Sequence, residues 1–516
     1  MKLQLQSILL PEQNICTVSE LYFHNSGEEI CFDGYFNQFQ IGKWKRYTDI
    51  TQLALTFQAY GYQSFQIYHN RTCIQTIPLT STTLQNYEIA FPWDDYSDGV
   101  FWFSLIPNNQ INTPTCSGFY TGICTNPQHV AFGLDICTFQ REAELLRSLQ
   151  LLHQKIFTNH TLQVSEHIHV YVVDNGNTLH EHPEFQQYLS ETHDPVSILK
   201  NQNSGGAGGF TRGMLEIMHD KVHKNLTHIV LMDDDALPNP DTFVRMYAFL
   251  CARKTEWKDI TVGSAILTED EPYLLYACGE SWKKCLPVNP NHYTDLRDFS
   301  NTCRDSLLTT SSERQLYSGW WCCCYSLTVV REDNLPIPLF IHHDDIEYGL
   351  RNAQYGIVFL NGVSVWHRNF DKFFTPSNLY YDIRNIFIEI TQRYNRPKAF
   401  YYIWSFYWKR LAIRLVRNKP DAIYWTIRGA ADFLKGPEWL WKQDPVKLHQ
   451  DILQIPTTHA WQQWYESVKI CLRLFVSAPR AIHDYRKNLH KYTTADAWQT
   501  YLHLEKSSAS RDNDIH

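Results

Sequence analysis

The run Leu231-Met232-Asp233-Asp234-Asp235-Ala236 delivers three carboxylates at the end of an apolar stretch. So much negative charge in one place is costly unless a cation offsets it. Alternate residues of an extended chain face the same way, so Asp233 and Asp235 can share a ligand while Asp234 points elsewhere in a supporting position. A hard divalent ion held by carboxylates and substrate phosphates is Mg²⁺ or Mn²⁺. A solvated acidic turn capping the next helix is the alternative. The apolar strand before the triplet, and Pro238 and Pro240 after it, favour the metal.

A second acidic group, His343-Asp344-Asp345-Ile346-Glu347, lies in a partly apolar context and is a natural place for a general base. A hydroxyl that attacks an electrophilic carbon needs such a base to take its proton. Strand-and-turn geometry predicts that only one of Asp344 and Asp345 faces the cleft, while the other orients the site. An acidic helix start favoured by the helix dipole fits the same residues, and the two readings are compatible. Val363–Arg368 reads as a short alternating strand ending in His367. A lone histidine is more often a satisfied core or surface residue. His367 can also serve as a third protein ligand beside two aspartates.

Asn203-Ser204-Gly205-Gly206-Ala207-Gly208-Gly209 could bring backbone close to an anion at a helix start. It matches neither the dinucleotide fingerprint nor the P-loop. Asn203 and the glycines read as the tight wall of a nucleotide or sugar pocket, with a flexible loop as the alternative.

These groups need a scaffold, and a chain of 516 residues is expected to divide into two or three domains. Residues 1–126 show short alternating runs broken by turns, such as Leu53–Gln58 and Val100–Leu105, with nothing helical between them; this predicts a β-sandwich. Residues 127–374 alternate strand and helix patterns, which predicts a largely parallel α/β core. Its expected strands are Val130–Cys137, Ile168–Val173, Val196–Leu199 and His228–Met232. The unusual polar residues follow these strands, where open α/β sheets bind ligands. Residues 375–516 are mostly helical in pattern, and Glu505–His516 is a polar tail.

Composition narrows the function classes. A hydrophobic share of 44% and a charged share of 19% describe a folded chain. The net charge of -8 argues against a nucleic-acid partner. Aromatic residues make up 14% of the chain, which suits both stacking on sugars and a plain aromatic core. The N-terminus lacks a secretory apolar stretch, and no run of about 18 apolar residues could span a membrane. A cytoplasmic protein is expected, at most peripheral on the inner face of the plasma membrane. The 14 cysteines form no CxxC pairs, and Cys322-Cys323-Cys324 reads as small buried hydrophobes, not a metal or redox cluster. The segment with Trp408-Lys409-Arg410, Arg414, Arg417 and Lys419 fits an anionic membrane surface, helix packing or a homo-oligomer interface equally well.

Several stretches together resemble a known family. Asp135–Glu142 is similar to the opening strand and loop of inverting GT-A (Rossmann-like) glycosyltransferases of family 2, and Asp233–Asp235 to their DxD motif. Tyr35-Phe36-Asn37-Gln38-Phe39 with Trp44, Gly319-Trp320-Trp321, His343–Arg351, Val365-Trp366-His367 and Tyr381–Asn385 resemble bacterial galactofuranosyltransferases. The resemblance implies a GT-A core with an N-terminal β-sandwich and a C-terminal helical domain. It implies transfer from UDP-galactofuranose to a cell-surface glycan or lipid-linked acceptor, in cell-wall or polysaccharide synthesis. It places Mn²⁺ or Mg²⁺ on Asp233, Asp235 and His367, and the base on Asp345. Thr138, Phe139 and Arg141 belong with Asn203, Gly205 and Asp233 on the donor side. Trp320, Trp321 and Glu280 belong on the acceptor side. The competing readings are the same reaction with a rhamnose or glucose nucleotide, or a non-catalytic carbohydrate-binding protein. Two separate acidic groups count against the last, since binding alone needs no base.

Overall fold

The computed structural model describes residues 1–80, 82–108, 111, 114–308, 316–370, 378–417, 419–454 and 460–504. The expected boundary at 374/375 and the polar tail from Glu505 lie outside the described residues.

Alternating residues build the N-terminal part. In Ile50–Tyr60, Leu53, Leu55, Phe57 and Ala59 are buried while their neighbours face outward. This strand sits in a four-stranded sheet with Lys2–Ser7, Thr115–Cys124 and Gln85–Ala90. A second sheet, around Tyr62–His69 and Val100–Pro107, packs against it. Phe57 of the first sheet stacks on Phe65 of the second at 5.3 Å, and Tyr120 of the first meets Phe103 at 6.3 Å. This is the expected sandwich. The expectation of no helix fails at Ile41–Tyr47, a short helix whose first turn has no side-chain cap. Tertiary packing holds it instead: Trp44 packs edge-on against Phe249 of the next region at 5.6 Å. One apolar core runs without interruption from the sandwich into the α/β part.

In that part, β1 (Phe132–Thr138) is flanked in parallel by β2 (Ile168–Asp174) and β4 (His228–Asp233), with β3 (Val196–Lys200) beyond β2. Helix α1 (Glu142–Leu152) links β1 to β2, and α2 (Gly205–Asp220) links β3 to β4. Beyond β4 the sheet becomes mixed. Strand β6 (Cys323–Ser326) runs antiparallel to β4 and to β5 (Thr261–Thr268), and β7 (Ile357–His367) runs parallel to β5. Cys322, Cys323 and Cys324 are fully buried, and burial pushes all three thiols up, so they behave as small apolar residues.

The glycine run is the first part of α2 and not a flexible loop. Glycine is a poor helix former, so a packing reason is required. A Cβ on Gly209 would lie 2.0 Å from the Cys137 sulfur on β1, so only glycine lets the helix lie this close to the strand.

The C-terminal part is helical throughout its described residues. It includes α4 (Asn378–Arg393), α5 (Arg396–Val416) and α6 (Ala460–Asn488). Helix α3 (Asp344–Arg351) lies between the sheet and this part. The chain's last described helix returns to the core, where the Trp498 indole donates to the Pro336 carbonyl at 2.9 Å. Among the described residues no helix is long and apolar enough to cross a membrane.

Candidate active site

The parallel register aligns the first functional groups. Thr138 stands opposite Asp174, and Cys137 opposite Asp233, so the carboxyl ends of β1, β2 and β4 form one edge. Strand β7 reaches the same edge, with His367 opposite Thr268. Ligand atoms of Asp233, Asp235 and His367 consequently lie within 4.8 Å of one another. His367 Nε2 is 2.9 Å from an Asp235 oxygen, while its Nδ1 lies 2.7 Å from the Arg368 carbonyl. An Nδ1–H donated to that carbonyl leaves the Nε2 lone pair for a cation. The imidazole also stacks on Phe370 at 4.3 Å, which fixes the ring.

Charge in this group is not balanced by protein alone. Arg141 donates to Asp234 at 3.3 Å and also to Asp235. Burial, then the Asp235 charge, pushes the Asp233 carboxyl above its ordinary range. Burial pushes Asp234 up to about 6 despite Arg141. Burial acts the same way on Asp235, but the His367 hydrogen bond and the charges of His367 and Arg141 outweigh it and hold this carboxyl low. Two carboxylates and one imidazole whose Nε2 faces them make a donor set that fits Mn²⁺ or Mg²⁺.

The second acidic group opens α3. Both Asp344 and Asp345 line the cleft, so the expectation that only one would face it is corrected. The reason is that α3 begins at Asp344, and consecutive residues in its first turn both reach the opening. Asp345 Oδ1 accepts from the Ile346 amide at 2.7 Å. Burial raises both carboxyls, and the Asp345 charge raises Asp344 further. Behind them, Glu347 pairs with Arg351 at 2.9 Å, and Arg393 donates to the Glu347 carbonyl at 3.2 Å, pinning α3 to α4.

The cleft has a volume of about 570 Å³. Asp233, Trp320, Trp321, Asp344, Asp345 and Phe370 line it together with residues of α4 and α5. Trp320 is only 3% exposed, held edge-on by Phe210 and Tyr348, so little ring surface is free for stacking. Trp321 donates its indole N–H to the Ser264 carbonyl at 3.3 Å. Glu280 stands cross-strand from Tyr317. Burial, then the nearby Asp345 charge, pushes its carboxyl up to about 8. Thr138, Phe139, Arg141, Asn203 and Gly205 do not line this cleft; they follow the ends of β1 and β3. Asn203 Oδ1 accepts from the Gly205 amide at 3.1 Å. Two residue sets thus meet at Asp233.

No site role follows from the sequence for His342, Asp382 or Arg410, which also line the cleft. His342 Nδ1 and Asp382 Oδ1 are 3.1 Å apart. Asp382 lies in the Tyr381–Asn385 stretch and Arg410 in the basic segment, but no local pattern says that they meet His342, because the segments come together only in the fold.

The chain belongs to the glycosyltransferase family 2 group: the family described as "Glycosyltransferase like family 2" matches residues 127–386, just over half the chain. Its mixed sheet, with an acidic strand end, is accordingly a GT-A-like core. The family described as "Galactofuranosyltransferase 2 N-terminal" matches residues 5–120. Among curated relatives, galactofuranosyltransferase GlfT2 of Mycobacterium tuberculosis is 26% identical over 447 residues, covering 80% of this chain and 66% of that protein. Galactofuranosyltransferase GlfT2 of Mycolicibacterium smegmatis is 27% identical over 360 residues, covering 66% of this chain and 53% of its own length. The chain therefore spans between half and two thirds of these relatives. S. aureus TarS in complex with UDP-GlcNAc is similar at a TM-score of 0.36 and 12% identity, covering 70% of this chain and 91% of that one. A likeness that low carries no weight for this chain.

Proposed function

We propose that this chain is an inverting, metal-dependent glycosyltransferase that moves galactofuranose from UDP-galactofuranose to a hydroxyl of a glycan or lipid-linked glycan. The observation carrying this reading is that a two-aspartate, one-histidine group reaches, through Asp233, the cleft lined by a separate, half-buried aspartate pair. Binding alone would need the first and not the second. The donor sugar rests on the relatives' names and on the N-terminal match.

Each group has a distinct task. Asp233, Asp235 and His367 would hold a Mn²⁺ or Mg²⁺ ion, which would supply positive charge for the diphosphate leaving group. Arg141, beside Asp234 and Asp235, offers a planar fork suited to phosphate oxygens. Thr138, Phe139, Asn203 and Gly205 form the nucleotide wall at the strand ends. Across Asp233, the acceptor enters between Trp320, Trp321 and Asp345. Asp345 takes the hydroxyl proton as the oxygen attacks the anomeric carbon. Attack opposite the leaving diphosphate inverts that carbon in one displacement, as in inverting glycoside hydrolysis with an alcohol replacing water. Glu280, close enough to Asp345 to be raised by its charge, is a further acceptor-side group that does not itself line the cleft. A panel of UDP-galactofuranose, UDP-glucose and dTDP-rhamnose, each with Mn²⁺, tests the donor by thermal shift and transfer. The expected result is protection and turnover with UDP-galactofuranose; turnover with another donor and none with this one would overturn the sugar assignment.

We also propose that the outer face of the helical region rests on anionic membrane. Helices α5 and α6 pack through Phe400 and Phe475 at 5.8 Å. They leave Trp404, Trp408, Val416, Trp464, Leu472 and Val476 exposed, and Lys409 and Arg417 are exposed as well. Apolar rings among basic residues suit an interface of acyl chains and acidic headgroups. The protein should sediment with phosphatidylglycerol vesicles and lose this when Trp404 and Trp408 are both changed to Ser. Equal sedimentation of the double variant would count against the surface.

A further inference from the structure

The turn that carries the proposed base has an unusual backbone. Phe340, His342 and His343 have φ values of 73°, 65° and 70°, so three non-glycine residues within four positions lie in the left-handed region. Side chains disfavour that region, and such a turn persists only where its surroundings hold it. Its restraints come from two sides.

On the donor side, Gly205 presses against it. A Cβ there would lie 2.1 Å from the Phe340 carbonyl oxygen, and Gly205 itself has a φ of 70°. On the other side, one face of α4 supplies a row of donors to the turn's carbonyls. Arg384 Nη2 donates to the Leu339 carbonyl at 2.6 Å. Asn385 Nδ2 donates to the carbonyls of Ile341 at 3.0 Å and His342 at 2.8 Å. Arg384 Nε then donates to Asn385 Oδ1 at 2.9 Å, which fixes the amide's orientation. Both side chains are buried. Both amide hydrogens of Asn385 go to the turn, and its oxygen accepts from the arginine that orients it.

We propose that Asn385, oriented by Arg384, is a positioning residue for transfer: it holds the Ile341–His342 carbonyls so that the chain leaves the turn with Asp345 aimed into the cleft. This rests on Asp345 being the base. Neither residue touches the donor-side groups, so their loss should misplace the base and leave the nucleotide site intact. Misplacement of a reacting group by about 1 Å can cost 10²-fold in rate.

The test uses the full chain, with kcat at saturating donor and acceptor and, separately, UDP binding in the presence of Mn²⁺. Asn385→Ala should lower kcat by about 10²-fold, and Arg384→Lys by about 10-fold, with UDP affinity within about twofold of the parent. If Asn385→Ala does not melt cooperatively, Arg384→Lys decides. A lower Tm with kcat within twofold of the parent would show a packing role only and overturn the proposal. Parallel loss of UDP binding and kcat would overturn it as well, because the whole site would have collapsed. The underlying reading fails by a different result, full transfer by Asp345→Asn, so the two failures are told apart.

Discussion

Asp345→Asn is expected to lower transfer by about 10²–10⁴-fold, the range supplied by a positioned general base, while UDP and Mn²⁺ still bind. The amide keeps the size of the side chain and cannot take a proton. Asp344→Asn and Glu280→Gln should cost less, since neither is assigned the proton. The pH profile carries a second signature. Burial raises the Asp345 carboxyl, and the Ile346 amide and His342 only partly offset it. The base works when ionised, so kcat should climb with pH along an acid limb lying above the ordinary aspartate value of about 4. Stability should move the other way. A carboxyl raised on folding favours the native state below its unfolded value, and that contribution is lost as pH rises through the folded value. At pH 7 the ionised Asp345 therefore costs stability, and Asp345→Asn should melt at a temperature equal to or above the parent's. Transfer above a tenth of the parent rate in Asp345→Asn would remove the base assignment.

The parts legible in the sequence were those written in local pattern. Alternation showed the sandwich strands, and the βα rhythm showed β1 to β4. The rule that ligands gather at strand ends pointed to Asp233 and His367. What escaped depended on contacts between distant segments. Ile41–Tyr47 has no capping side chain and holds its shape through Trp44 on Phe249. The glycine run carries a weak helix propensity, and close approaches such as Cys137 to Gly209 and the Phe340 carbonyl to Gly205 explain its composition. The left-handed turn at Phe340–His343 contains no glycine, so nothing in its residue types announces it. Its holders, Arg384 and Asn385, lie about forty residues later on another helix. Local signals thus pointed to the candidate site groups, and long-range hydrogen bonds set the backbone that carries them.

Removing divalent metal is expected to abolish transfer, with Mn²⁺ restoring it, and the reason is visible in the charge balance. Asp233 and Asp234 are both raised by burial among like charges, and Arg141 and His367 do not compensate fully. In the metal-free protein His367 is raised too: burial lowers it, but the hydrogen bond and charge of Asp235 outweigh that. A histidine raised on folding stabilises the native state at low pH, and this contribution fades as pH rises through its folded value. Protons and metal therefore compete for the same ligands. The metal-free Tm should fall between pH 6 and pH 8, while the upward shift on adding Mn²⁺ should grow over the same interval. At about 100 times the dissociation constant that shift corresponds to about 2.7 kcal/mol. His367→Ala should weaken Mn²⁺ binding by at least the roughly 10–100-fold that loss of an outer partner brings, measured by calorimetry without any donor present. Asp235→Asn should do the same and leave Arg141 to pair with Asp234 alone, whereas Asp234→Asn should leave Mn²⁺ affinity nearly unchanged. That contrast between adjacent aspartates is the sharpest check, because a simple acidic surface turn would lose affinity equally at either position.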